Sequence, residues 1–180
     1  MRQTIYLAGG CFWGVQGYFD LLKGVLETKV GYANSQIPNP SYEMVCSGKT
    51  GATEAIEVIY DDSQMPLYAN SDNNAVPECL LSRFFSIIDP CALNYQGNDI
   101  GTQYRSGIYF KEQQANRNLL VNINDFISNY VAVHYKQEIV TEVMILQNFY
   151  KAEEYHQKYL AKNPQGYCHI DINRALKPLS

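Results

Sequence analysis

A single mixed α+β domain built on a split β-α-β-β-α-β sheet, with additional helices and a coil-rich C-terminal tail, is the fold this sequence predicts. Short apolar runs alternate with segments whose apolar residues recur at helical spacing, and Gly- and Pro-containing stretches separate the two periods. A length of 180 residues suits one domain with a substantial core and is short for two. The expected unit is therefore one domain spanning 1–180, with 163–180 as a mobile tail.

The elements follow in order. "TIYLA", residues 4–8, reads as a short buried strand that Gly9 and Gly10 end. From Trp13 to Leu22, apolar residues at 15, 18, 19 and 22 predict a helix stopped by Gly24. "ETKVGYA", 27–33, predicts a strand, and "SQIPNPS", 35–41, a loop, because Pro38 and Pro40 deny both helix and ladder. "TEAIEVIYD", 53–61, alternates polar and apolar residues and predicts a half-buried strand. The polar, turn-rich stretch 61–77 is too long for a hairpin loop and predicts a surface excursion. A helix at 78–88, a loop at 89–103 and a strand at 104–110 complete a ferredoxin-like succession. Beyond it the pattern predicts a long helix at 111–129, a strand near 137–144, a helix at 150–161 and an aperiodic tail.

Composition narrows the function classes. Fourteen Lys and Arg against eighteen Asp and Glu give a net charge of -4, with the signs mixed along the chain. Neither a nucleic-acid surface nor a polybasic membrane anchor is expected from that distribution. The opening "MRQTIYLAGG" lacks the apolar core of a secretory signal, and no apolar run reaches the length of a membrane span, so a cytoplasmic protein is expected. Five cysteines at irregular spacings match no secreted disulfide framework. Cys168 and His169 are adjacent, but no second pair with zinc-type spacing accompanies them, so no metal site is expected.

The segment "AGGCFWG", 8–14, carries the most chemistry. Strand, Gly-Gly, Cys11 and helix in that order put the thiol at a helix N-terminus, where unpaired N–H groups favour a thiolate. A buried cysteine behind a tight turn explains the same segment equally well. Phe12 and Trp13 fit either a core or a site that accepts something small and apolar. Glu54 opens an apolar strand, where desolvation would raise its pKa and let it donate a proton, although strand-edge glutamates are usually solvated. Asp99 lies in a Gly-rich loop where turn capping is the common role. Tyr42 and Tyr104 are two of fifteen tyrosines. His156 or His134 paired with Cys11 would instead suit a cysteine hydrolase, although no sequence feature aligns either with the thiol, and inert cysteines would suit an aromatic-rich binding module.

"GGCFWG", "VGYANSQIPNPSYEMVCSGKTGATEAIEV", "LNYQGNDIGTQYRS", "IVTEV", "FYKAEEYHQKYL" and "NPQGYCHI" resemble, in order, the signature segments of the A-type methionine sulfoxide reductases, the peptide-methionine (S)-S-oxide reductases. The resemblance runs from about residue 5 to 170 and implies repair of oxidised methionine. It implies that Cys11 attacks the sulfoxide sulfur, that Phe12 and Trp13 cradle the S-methyl group, and that a protonated Glu54 donates to the oxygen. Tyr42 and Tyr104 would hydrogen-bond that oxygen, and Asp99 would orient substrate and a water. Cys11 would be left as a sulfenic acid, and Cys168 would resolve it as a disulfide that thioredoxin, or dithiothreitol in vitro, reduces. Cys46 matches a frequent family position and is expected to be buried packing; Cys79 and Cys91 have no assigned role. Ala52 stands where many relatives carry histidine, and the tail has one cysteine where some have two. No bound cofactor is implied, and a monomer is expected, acting on methionine sulfoxide free or in proteins.

Overall fold

The structure, a computed structural model, describes residues 1–65, 78–114 and 117–179. In chain order its regular elements are β1 (Arg2–Ala8), α1 (Phe12–Phe19), β2 (Val25–Ala33), α2 (Tyr42–Cys46), β3 (Thr53–Asp61), α3 (Glu78–Phe85), β4 (Tyr95–Gln96) and β5 (Asp99–Ile100). Then follow β6 (Gly107–Phe110), α4 (Arg117–Phe126), β7 (Glu142–Ile145), β8 (Phe149–Lys151) and α5 (Tyr159–Lys162). The mixed α+β class expected from the sequence is the one observed.

Six strands form the main sheet in the order β7-β6-β1-β3-β2-β8, antiparallel except for the β6–β7 pair. The register brings four strand ends together. Ala8 at the end of β1 faces Gly107 at the start of β6, and Tyr32 and Ala33 at the end of β2 face Glu54 and Thr53 at the start of β3. Whatever follows β1 and precedes β6 must therefore emerge beside Glu54.

Both faces of this sheet are covered. On one, Ile5, Leu7, Val30, Ile56 and Val58 pack with Phe12, Val15 and Phe19 of α1, Phe84 of α3 and Ile123 of α4. On the other, Tyr6, Ala8, Ala33, Ala55 and Tyr109 lie under Met144, Leu146 and Phe149. The alternation in β3 predicts only a half-buried strand. Seven of its nine residues are buried, because the segment 144–149 returns over the face that the pattern leaves to solvent.

The helix expected at 150–161 is the main local departure. Phe149–Lys151 instead pairs with the edge of β2, and the Gln157 side chain continues that pairing, accepting from Val30 N–H at 3.0 Å and donating to Val30 C=O at 2.9 Å. Tertiary hydrogen bonds to an open strand edge override the helical spacing of "AEEYHQKYL". Only a one-turn 3-10 segment at Glu154–His156 and the short α5 remain helical. The strand expected at 104–110 begins at Gly107, since Thr53 Oγ1 donates to the carbonyls of Gln103 and Arg105 and holds a 3-10 turn there. The loop at 89–103 contains the small β4–β5 hairpin. Lys111–Gln114 is a turn rather than helix, tied down where Gln114 Nε2 donates to Thr4 C=O at 3.1 Å. Of the 61–77 excursion, residues 66–77 lie outside the described residues; its first turn is capped by Asp61.

The tail packs on the domain: Ile170 and Ala175 are buried, and the 3-10 segment Ile172–Leu176 lies against α1. Among the described residues no helix is long and apolar enough to cross a membrane.

Candidate active site

Cys11 is the N-cap of α1 and is 8% exposed. The approach is tight: Gly10 sits at φ +87°, and a Cβ there would stand 2.7 Å from Gln96 Cβ. Gln96 in turn is held by two 2.8 Å bonds to the backbone of Asp89, accepting from its N–H and donating to its C=O. The glycine thus lets the β4–β5 hairpin, which carries Asp99, close against the turn that precedes the thiol.

Glu54 is buried at 1% exposure beside the same turn, and its Oε2 accepts from the Phe12 N–H at 3.0 Å. Burial pushes its carboxyl up to about 8; the Phe12 bond opposes this and the charge of Asp99 adds to it. At neutral pH the carboxyl holds its proton. The expectation of a thiol made acidic by its helix position meets a competing effect. Burial first, and then the Glu54 charge, push Cys11 well above the ordinary thiol range, against the pull of the Trp13 and Gly14 N–H groups. Once Glu54 is neutral its repulsion is gone, and burial alone is left as the main opponent of the helix N–H groups.

Tyr42, in the first turn of α2, and Tyr104, at the end of the 3-10 turn held by Thr53, reach the same space. Burial, with Glu54 as a further contributor, pushes both hydroxyls far above the usual phenol range, so they stay protonated donors. Tyr104 also responds to Asp99 and Cys11. Cys11, Tyr42, Glu54, Asp99 and Tyr104, far apart in sequence, are therefore one cluster. Phe12 is fully buried against Tyr32, with ring centroids 5.9 Å apart, while Trp13 is half-buried and stacks on Tyr159 at 3.8 Å and 12°.

Cys168 approaches α1 from outside. A Cβ at Gly14, one turn beyond Cys11, would stand 2.9 Å from Cys168 Sγ. Cys11 and Cys168 are both thiols, and the Cys168 S–H donates to Ile170 C=O at 2.9 Å. Its neighbours fasten the tail to the cluster. The Tyr167 hydroxyl donates to Asp99 Oδ2 at 3.1 Å, and His169 lies between Gly9 C=O, at 3.3 Å from Nε2, and Asp99 Oδ2, at 3.9 Å from Nδ1. Neither residue stands out by type or spacing; their one signal is that they flank the cysteine in "GYCHI".

Two expectations change. Cys46 is exposed rather than buried, because α2 is a short surface helix, and its thiol is hydrogen-bonded to the Tyr42 hydroxyl. The histidines of the hydrolase alternative do not serve the thiol: His134 is exposed on a distant 3-10 turn, and His156 Nδ1 accepts from the Trp13 indole N–H at 3.0 Å. Glu153 was not singled out by sequence; it accepts from the Tyr32 hydroxyl at 2.7 Å and from the Tyr42 N–H at 3.1 Å, and so seats α2 beside Glu54. Among the described residues no group of three His, Cys, Asp or Glu side chains is placed to hold a metal ion.

An acid that keeps its proton, a thiol, two hydroxyl donors and an apolar wall can together attack and protonate a polar S–O or C–O group. The comparisons with known proteins agree on which. Residues 3–180 match the family described as peptide methionine sulfoxide reductase. The peptide methionine sulfoxide reductase MsrA of Clostridium botulinum (strain Okra) is 52% identical over 171 residues, 95% of this chain and 99% of that protein. The protein of that name from Mycoplasma pneumoniae is 49% identical over 173 residues, 96% and 100% of the two. Among solved structures, reduced Mxr1 from Saccharomyces cerevisiae aligns with TM-score 0.77 and 35% identity over 93% of this chain and 88% of that one. Methionine sulfoxide reductase A of Corynebacterium diphtheriae gives 0.77 and 35% over 93% and 78%.

Proposed function

The chain belongs to the peptide methionine sulfoxide reductase family, as an MsrA-type oxidoreductase, and from that premise we propose how its residues carry the reaction and on which substrate. The substrate is methionine-S-sulfoxide, free or in oxidised proteins, and the setting is the cytoplasm. The S-methyl group lies against Phe12 and Trp13, the sulfoxide oxygen accepts from Tyr42 and Tyr104, and Asp99 orients the substrate and a water.

The S–O oxygen leaves only once protonated, and Glu54 supplies that proton. The Cys11 thiolate bonds to the sulfur as the oxygen takes one proton from Glu54; the S–O bond to the methionine sulfur and the transient S–S bond then break and the hydroxyl ends on Cys11, giving methionine and a Cys11 sulfenic acid. The Cys168 thiol, moving with its tail, then attacks the Cys11 sulfur; water leaves and a Cys11–Cys168 disulfide forms. A dithiol donor of the thioredoxin class reduces it, so that two electrons and two protons enter for each oxygen removed as water. No bound cofactor is needed for that balance, and a monomer suffices.

The observation that carries this reading is the buried, protonated Glu54 bonded to the residue next to Cys11. It is tested by single-turnover reduction of resolved sulfoxide epimers, with mass mapping of the product enzyme. The expected result is methionine from the S epimer and a Cys11–Cys168 disulfide. Turnover retained after Cys11→Ser, or an acyl-enzyme in place of a disulfide, overturns it.

A further inference from the structure

Cys168 stands at a border between chain in solvent and chain held by the fold. Residues 161–165 before it are exposed, whereas Ile170 after it is buried and packs on α1, where a Cβ at Gly14 would meet its side chain at 3.3 Å. That apolar contact keeps the tail near the helix without fixing its direction. A disulfide needs Cα atoms about 4.4–6.8 Å apart, so small displacements of the chain at Cys168 decide whether it can form.

The residue between the cysteine and this anchor is His169, whose side chain is 9% exposed. Its ring is wedged between the turn that leads into Cys11 and the β4–β5 hairpin: Cβ atoms on Gly10 and Gly97 would stand 3.0 Å from its Nε2 and 3.8 Å from its Cβ. A carbonyl only accepts, so the 3.3 Å contact with Gly9 C=O makes Nε2–H the donor. Burial holds the imidazole pKa below its ordinary value, against the charge of Asp99 and the Gly9 bond, so at neutral pH the ring carries that one proton. Its Nδ1 is then bare, buried and without a hydrogen-bond partner, 3.9 Å from Asp99 Oδ2. The bond to Gly9 is thus the ring's one hydrogen bond. It joins the neighbour of Cys168 to the backbone two residues before Cys11, on the strand side of the turn, where Ile170 gives no hold.

We propose that His169 is a positioning residue for the resolving step: its bond to Gly9 C=O holds Cys168 within reach of the Cys11 sulfenic acid. In that step the Cys168 sulfur bonds to the Cys11 sulfur, the Cys11 S–O bond breaks, and the hydroxyl leaves as water with the Cys168 proton. The inference rests on Cys168 being the thiol that resolves Cys11.

The test is a single turnover of reduced enzyme, freed of reductant, with methionine-S-sulfoxide. Methionine is measured in quenched samples, the Cys11–Cys168 disulfide by mass mapping, and the Cys11 sulfenic acid by trapping with dimedone. His169→Leu removes the donor, whereas the side-chain amide of His169→Gln can reach the Nε2 position. In His169→Leu the disulfide is expected to form about tenfold more slowly and the dimedone adduct to accumulate, with methionine formation within about twofold of the parent. His169→Gln should restore the disulfide rate to within about threefold. A parent disulfide rate in folded His169→Leu, equal slowing in folded His169→Gln, or methionine formation slowed as much as the disulfide, overturns the inference. If His169→Leu does not fold, His169→Asn, whose amide is too short to reach Gly9, takes its place with the same outcomes. Absence of a Cys11–Cys168 disulfide in the parent removes the underlying reading and this inference with it; a parent disulfide that forms equally fast in the variants removes the inference only.

Discussion

Glu54 stands near the start of β3 and is almost wholly buried, and its proton affinity follows from that burial more than from any partner. The sequence leaves that open, since a glutamate opening an apolar strand can be desolvated but strand-edge glutamates are usually solvated. Raised from 4.5 in the unfolded chain to about 8 in the fold, this carboxyl makes the folded state hold a proton that the unfolded state releases. Its contribution to stability is therefore full below about 4.5 and lost as pH rises toward 8. The Glu54→Gln variant should lack that slope in chemical denaturation between those limits. In the proposed reaction the same ionisation removes the acid, so the single-turnover rate should fall as pH rises past about 8, and Glu54→Gln should slow the step on the order of 10²-fold or more. An unchanged rate in that variant takes the residue out of the role. Cys11 was less legible. The helix start argues for an acidic thiol, but burial and a neighbouring carboxyl, which no local pattern reports, push the other way. Gly14 gives a separate prediction: in Gly14→Ala the new methyl meets Cys168 Sγ, so disulfide formation after the first turnover should slow more than methionine release. Stopped-flow with mass mapping reads both, and an unaltered disulfide rate counts against Cys168 resolving from this seat.

Elements whose faces meet only the core were easiest to read. The bounds of β3 are those the alternation predicts, and α1 begins one residue from its predicted start. The segment 150–161 predicts a helix but forms little of one, because its helical spacing serves a different purpose. Glu153, His156 and Gln157 point at Tyr42, Trp13 and Val30, partners more than a hundred residues away in sequence. Spacing cannot distinguish a helix face from a row of anchors. Gln157 tests that view, because it is buried and makes three bonds, to Val30 N–H, Val30 C=O and Ala152 C=O. Gln157→Leu leaves the Val30 groups unpaired and should cost about 1–3 kcal/mol, lowering Tm by several degrees. A Tm equal to the parent's would mean that the β2 edge finds other partners.

At the scale of the molecule, the sheet order is what turns scattered residues into a site. Strand ends from four parts of the chain converge, so that Glu54 near the start of β3 meets Cys11 just beyond β1 and Tyr104 just before β6. The elements were legible one at a time; the return of 144–149 over the second face was not, since its apolar residues match no period. The tail belongs to this scale as well, because it reaches the cluster from the far end of the chain. With thioredoxin as donor, Cys168→Ser should yield about one equivalent of methionine per enzyme and then stop; sustained turnover would show that another thiol resolves. The closed second face has one further consequence. Glu54 has the sheet and its cover behind it and Cys11 in front. In the proposed cycle each proton it spends has to return through the opening that admits the sulfoxide. Reloading the acid and clearing the product then share the Cys11 side of the sheet, so the first is expected to follow the second.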